Sequence, residues 1–229
     1  MLSREIEDLL SSSSERGWVL EPDAKRIFSL LGITTPRSLW ARNEQEAIRF
    51  ATKIGYPVVA KVVSPKVIHK SERSGVVLDI RNSEELVAKF RALQKIEGAD
   101  GILVEEMVSG LELIVGGKID YQFGPVILLG IGGTGVEIYG DVTLRMAPLS
   151  ERDIDSMMGC LKAHQLLEGY RGRPPIHLGE LRRLLANFSS AVVDLKETVE
   201  SIDLNPVICS PERCVVVDAR MILRSNRPS

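Results

Sequence analysis

Apolar positions recur along this chain with two different periods, and the switches between them mark out its elements. Ile6, Leu9 and Leu10 fall at helical spacing over residues 3–10, and the serine run at 11–14 followed by Gly17 predicts a loop. Ala24, Ile27, Phe28 and Leu31 give a second helix over residues 22–31, with Pro22 near its start and Gly32 as its stop. Asn43 is placed to cap a helix that runs to Ile54, with Glu44 and Glu46 in its first turn. Ser83 is expected to cap the next, which turns Leu86, Phe90 and Leu93 inward. A further helix begins at Ser150, and Gly169–Pro175 reads as a basic loop. Leu181, Leu184, Leu185, Phe188, Ala191, Val192 and Leu195 form the stripe of one long amphipathic helix.

Strands are predicted at 38–41, 56–63, 76–80, 102–107, 111–119, 125–129 and 142–146. Two more apolar runs, 201–208 and 215–220, are separated by Pro211, Glu212 and Arg213 and read as a terminal antiparallel hairpin, with the tail after Leu223 frayed. The order is a mixed α-and-β lobe to about residue 100, then a lobe of consecutive strands. The second half lacks a regular βαβ alternation, so antiparallel sheets and an α+β class are expected.

Composition narrows this little. The 229 residues are 44% hydrophobic and 26% charged, enough for a sizeable core. A formal net charge of -2 implies no polyanion-binding surface, hence no nucleic acid. No apolar run approaches the ~18 residues of a membrane helix. The acidic N-terminus does not read as a signal peptide, so the cytoplasm is the expected compartment. Cys160, Cys209 and Cys214 form no CxxC and no zinc pattern. Cys209 and Cys214 flank the hairpin turn, but thiols are expected there because the chain otherwise looks intracellular.

Several polar residues sit where core strands should be apolar. Folding the terminal hairpin can bring Asn205 close to Asp218, and an amide oxygen beside a carboxylate suits Mg2+, which completes its shell with water and phosphate oxygens. The same residues also read as an Asn-Pro turn and a surface Asp. Lys61 ends the apolar run Pro57–Lys61, where it needs an anionic partner such as a nucleotide phosphate, or snorkels at a sheet edge. His69, between Lys66 and Lys70, has an imidazole that can carry a phosphoryl group, or is a loop histidine without a role. Glu105, Glu106, Met107 and Val108 lie where a strand becomes a connection, with Glu112 soon after. A backbone hinge there can meet an adenine edge and the carboxylate ribose hydroxyls, or the segment is a solvated acidic turn. Gly130–Gly135 satisfies G-x-G-x-x-G, but strand-like residues follow it instead of the helix a dinucleotide site needs. For Glu137, Asp141 and Arg145 the default is a structural salt bridge.

Taken in order, Tyr56–Val77, Glu105–Lys118, Phe123–Pro148, Gly169–Gly172 and Ile202–Arg220 resemble the ATP-grasp β subunit of ADP-forming acetyl-CoA (acyl-CoA) synthetases, across roughly residues 20–223. The resemblance implies an ATP-grasp fold whose two lobes clamp a nucleotide. Residues 1–20 would be a helix and linker, 21–104 a small lobe carrying the phosphohistidine loop, and 105–229 a large lobe with a Mg2+-binding C-terminal hairpin. It implies that Lys61 contacts ATP phosphates and that Glu105, Met107 and Val108 hold adenine, mostly by backbone atoms. Glu112 would then hold the ribose, Asn205 and Asp218 would ligate Mg2+, and Arg220 would lie near the phosphates. His69 matches the family's phosphorylatable histidine and Glu137 an acidic residue that orients it. ATP or ADP and a separate CoA-binding α subunit, in an α2β2 assembly, are implied as partners. Where the family often has Gly-Gly after the histidine, this chain has Ser74-Gly75. Two alternatives stay open at this level: a nucleotide-sensing module without phosphoryl relay, and a nicotinamide-dependent oxidoreductase built on Gly130–Gly135.

Overall fold

The structure, a computed structural model, describes residues 2–66, 75–133 and 140–224. The chain divides into two compact units: residues 36–108, and residues 1–35 together with 109–229. This differs from the expected boundaries. The N-terminal 35 residues build part of the unit that holds the C-terminus, because a short strand β1 (Trp18–Val19) pairs antiparallel with β11 (Arg220–Leu223), Trp18 facing Ile222.

In the smaller unit, β2 (Ser38–Ala41), β3 (Val58–Val62), β4 (Val76–Ile80) and β5 (Ile102–Glu106) form an antiparallel sheet in the order β2-β5-β3-β4. Two helices, α3 (Glu44–Ile54) and α4 (Ser83–Gln94), cover it. Asn43 caps α3 as expected, its side chain accepting from the Glu46 N–H. The cap of α4 is Asn82, one residue before the expected Ser83, since its amide oxygen reaches the Glu85 N–H. Ala47, Ala51, Leu86, Phe90 and Leu93 pack on Val58, Ala60, Val62, Ile102 and Val104 as the core.

In the larger unit, β6 (Leu111–Asp120), β7 (Gly124–Ile131), β8 (Val142–Met146), β9 (Val199–Cys209) and β10 (Cys214–Val216) join β1 and β11. The sheet order is β1-β11-β9-β6-β7-β8, with β10 also on β9. Its described helices are α1 (Arg4–Ser13), α2 (Glu21–Leu30), α5 (Glu151–Cys160) and α6 (Leu178–Asp194). The loop expected at 11–14 is absent: α1 runs through Ser13 and a short 3-10 turn follows, because Ser12, Ser13 and Ser14 return their hydroxyls to carbonyls one turn back. Phe188 and Val192 of α6 lie so close to β6 that a Cβ on Gly117 would stand 2.7 Å from Val192 and 3.2 Å from Phe188. Gly117 therefore sets how closely helix and sheet approach, and truncating the fully buried Phe188 to alanine is worth about 3–5 kcal/mol.

Cys209 and Cys214 are joined as a disulfide, correcting the expectation of thiols. The hairpin register puts them directly opposite each other. The adjoining pair is bonded through the Ser210 N–H and Arg213 carbonyl, so the cysteines occupy the closer, non-hydrogen-bonded position of the ladder. Among the described residues no helix is long and apolar enough to cross a membrane.

Candidate functional site

The larger unit brings Asn205 and Asp218 together through strand register. Val207 pairs with Val216 and Asp203 with Arg220, so the register is the same on both sides of the gap between β10 and β11. Asn205 therefore stands opposite Asp218, and the Val217 N–H reaches the Pro206 carbonyl at 3.2 Å between them. On the other edge of β9, Leu113 pairs with Val207 and Val115 with Leu204. Two residues of β9, Asn205 and Pro206, thus oppose one residue of β6, a bulge that returns Val207 to the buried face while Asn205 stays exposed. An amide oxygen and a carboxylate are both hard donors, the set that fits Mg2+ with few protein ligands. No cluster of three or more His, Cys, Asp or Glu side chains suited to a metal occurs among the described residues.

Beside this pair lie two more charges. Arg220 faces Asp203 across β11 and β9, and Asp203 also faces Gly116 of β6. Burial of its surroundings pushes the Asp203 carboxyl above the usual aspartate range, although solvent still reaches it, and Arg220 pulls it back. Asp203 was not singled out in the sequence. The signal was the period-2 alternation of β9, which places it on the same face as Asn205.

Glu112 lies on β6 opposite Ile208, its side chain exposed. The Gly132 N–H donates to the Glu112 carbonyl at 2.7 Å, and a Cβ on Gly132 would stand 3.1 Å from the Glu112 backbone and Cβ. The glycines were expected to let the backbone approach a ligand. At Gly132 the close approach is to the strand that carries Glu112. The glycine segment joins β7 to β8, which pair antiparallel from Val126–Met146 to Gly130–Val142. A dinucleotide fold needs a parallel strand there, so the oxidoreductase alternative falls. Among the described residues neither Asp141 nor Arg145 forms the ion pair of the salt-bridge default. Asp141 accepts the Lys162 and Ala163 N–H groups at 2.7 and 2.9 Å, and Arg145 donates to the Ser156 hydroxyl at 2.8 Å.

The smaller unit holds Lys61. Val59 pairs with Glu105 and Lys61 with Leu103, which sets Lys61 and Glu105 diagonally on one face. The Lys61 ammonium lies 3.0 Å from the Glu105 carboxylate, both side chains nearly inaccessible. The buried lysine thus has a protein anion. Glu106 is held by Arg37, through its guanidinium at 2.8 Å and its N–H at 3.1 Å. Met107 is exposed and Val108 ends the unit. His69, Glu137 and Ser74 lie outside the described residues, as does the tail beyond Arg224.

Comparison with known proteins gives one consistent picture. An ATP-grasp domain family matches residues 11–223. The β subunit of acetate–CoA ligase [ADP-forming] I from Pyrococcus furiosus is 39% identical over 96% of this chain and 97% of its own length. The 4-hydroxybutyrate–CoA ligase [ADP-forming] of Nitrosopumilus maritimus is 38% identical over 89% of this chain, which spans only 30% of that longer polypeptide. Among solved structures, an acetyl-coenzyme A synthetase of Ca. Korarchaeum cryptofilum aligns with a TM-score of 0.85 and 39% identity, over 96% of this chain and all of the other. That structure holds coenzyme A and Mg-AMPPCP, with its phosphohistidine segment pointing towards the nucleotide binding site.

Proposed function

The chain belongs to the ATP-grasp family, among the β subunits of ADP-forming acyl-CoA synthetases, and on that premise we propose that it binds ADP or ATP and passes a phosphoryl group between His69 and the nucleotide. The observation that carries this reading is the ribbon that sets Asn205 opposite Asp218 in unbroken register, with Arg220 and Asp203 as the next facing pair. Asn205 and Asp218 would hold Mg2+, which when bound neutralises charge on the phosphate oxygens. Arg220 adds a fixed positive charge on the same ribbon, and Glu112, anchored by the glycine turn, would accept from the ribose hydroxyls. Lys61 would share its charge between Glu105 and the phosphates, while backbone groups at Glu105, Met107 and Val108 meet the adenine edge.

The overall reaction is acyl-CoA + ADP + phosphate ⇌ carboxylic acid + CoA + ATP. In the transfer assigned to this chain, the N–P bond of phosphorylated His69 breaks and its electron pair returns to the imidazole nitrogen. A terminal oxygen of ADP forms the new P–O bond. Such a transfer is mostly positioning and charge neutralisation, which these residues supply. Glu137 would orient the imidazole. Acyl and CoA recognition would lie on a separate α subunit in an α2β2 assembly in the cytoplasm. Supporting this, a relative of nearly the same length is itself a β subunit, and a longer one carries additional chain.

The test mixes the chain with Mg2+ and γ-labelled ATP. The expected product is an acid-labile, base-stable phosphoprotein that is missing in His69→Ala, and label persisting in that variant overturns the role of His69. Asp218→Ala should lose Mg2+-dependent nucleotide binding while His69→Ala keeps it. Equal affinity in wild type and Asp218→Ala removes the metal assignment.

A further inference from the structure

Helix α2 carries an ion pair where a surface helix has no need of one. Glu21 and Lys25, one turn apart, meet at 2.8 Å and each is only 3% exposed. Their partner is the connection between β10 and β11: the Lys25 ammonium donates to the Val217 carbonyl at 2.7 Å. Val217 immediately precedes Asp218.

The reason a lysine is needed there lies in Pro206. In an antiparallel ladder a hydrogen-bonded pair exchanges two bonds, N–H to carbonyl in each direction. Val217 and Pro206 make the first, from the Val217 N–H to the Pro206 carbonyl. Proline has no N–H to make the second, so the Val217 carbonyl cannot receive its ladder bond. A partly buried carbonyl in that position costs stability if nothing replaces the bond. Lys25 replaces it, and Glu21 supplies the counter-charge beside the buried ammonium. The bond fixes the orientation of the peptide plane joining Val217 to Asp218, and hence the direction in which the Asp218 side chain leaves the ribbon.

We propose that Lys25, held by Glu21, is a positioning residue for the metal-ligating carboxylate of Asp218, standing in for the hydrogen bond that Pro206 cannot give. The inference rests on the proposed reading of Asn205 and Asp218 as Mg2+ ligands. It adds a layer behind the ligands, and partners of this kind are typically worth about 10–100-fold in metal affinity.

The test is Mn2+ binding by the full chain with ADP, read by electron paramagnetic resonance, beside ADP binding in EDTA and thermal melting. Glu21→Gln/Lys25→Met removes both charges together, so no lone buried charge remains and melting should fall only by what the unreplaced Val217 bond is worth. Its Mn2+ affinity should fall about 10–100-fold with ADP binding in EDTA unchanged. Glu21→Gln alone keeps the donor and should stay within about twofold. Glu21→Gln/Lys25→Gln, with a shorter neutral donor, should fall between them, which keeps the test available if the methionine variant folds poorly. Mn2+ binding at wild-type strength in the double variants, while Asp218→Ala loses it, overturns the role of Lys25 and leaves the metal site standing. Unchanged Mn2+ binding in Asp218→Ala overturns the metal site, and this inference with it.

Discussion

Glu105→Gln separates a desolvated ion pair from a decorative one. Lys61 and Glu105 lie 3.0 Å apart with side-chain exposures of 6% and 2%. Glutamine keeps the shape and an acceptor oxygen but removes the counter-charge that Glu105 supplies. Breaking a buried pair from one side costs about 3–5 kcal/mol, and the retained acceptor argues for the lower end, about 3 kcal/mol. With a urea dependence of about 1–3 kcal/mol/M, the unfolding midpoint of the smaller unit should drop by about 1–3 M. The chain has two tryptophans, Trp18 in the larger unit and Trp40 in the smaller, so Trp40 fluorescence in a Trp18→Phe background reports that unit alone. Saturating ADP should recover part of the loss, since a phosphate near Lys61 supplies the missing negative charge. Lys61→Met/Glu105→Leu should unfold within about 1 kcal/mol of wild type, because an apolar pair of similar volume replaces the ions, yet bind ADP more weakly. A Glu105→Gln midpoint equal to wild type refutes the reasoning about burial. ADP protection no greater than in wild type refutes the placing of phosphate at Lys61.

Two further outcomes are expected. Because the folded chain raises the Asp203 pKa, the protonated form is favoured by folding, and that contribution is full below the ordinary aspartate pKa and lost as pH rises through the folded value. Asp203→Asn should therefore melt higher than wild type at neutral pH, with the gain shrinking toward about pH 3, and Arg220→Gln should move the Asp203 carboxyl further up in an NMR titration; a pH-independent difference, or a downward shift, contradicts this. Gly132→Ala places a methyl 3.1 Å from the Glu112 backbone, so the turn must give way. Nucleotide affinity should fall several-fold with melting little changed, and full affinity in calorimetry would show that the Glu112 position does not matter.

Elements whose signal is local were legible in the sequence. The Asn43 cap, the α6 stripe and the antiparallel class of the second half follow from side-chain chemistry and spacing within a few residues. The pairing of Asn205 with Asp218 was also legible, since a hairpin with a short turn ties register to residue count. The remaining site residues were assigned through the family resemblance, because single spacings are weak. What failed was short-range too: a serine run that breaks many helices here returns its hydroxyls to the helix itself.

Only the tertiary structure decided which distant segments share a unit. Residues 1–35 join the C-terminal sheet because β1 supplies the edge of β11, a contact between positions some two hundred residues apart that no local pattern encodes. The same long reach explains Lys25. In the sequence it is one charged residue on an amphipathic helix. The role proposed for it exists only where folding sets it against Val217, at a carbonyl whose ladder partner is a proline. Glu105 likewise read as a hinge residue until the register of β3 on β5 laid its carboxylate against Lys61. Local chemistry determines which residues are able to serve, and long-range register determines which of them meet.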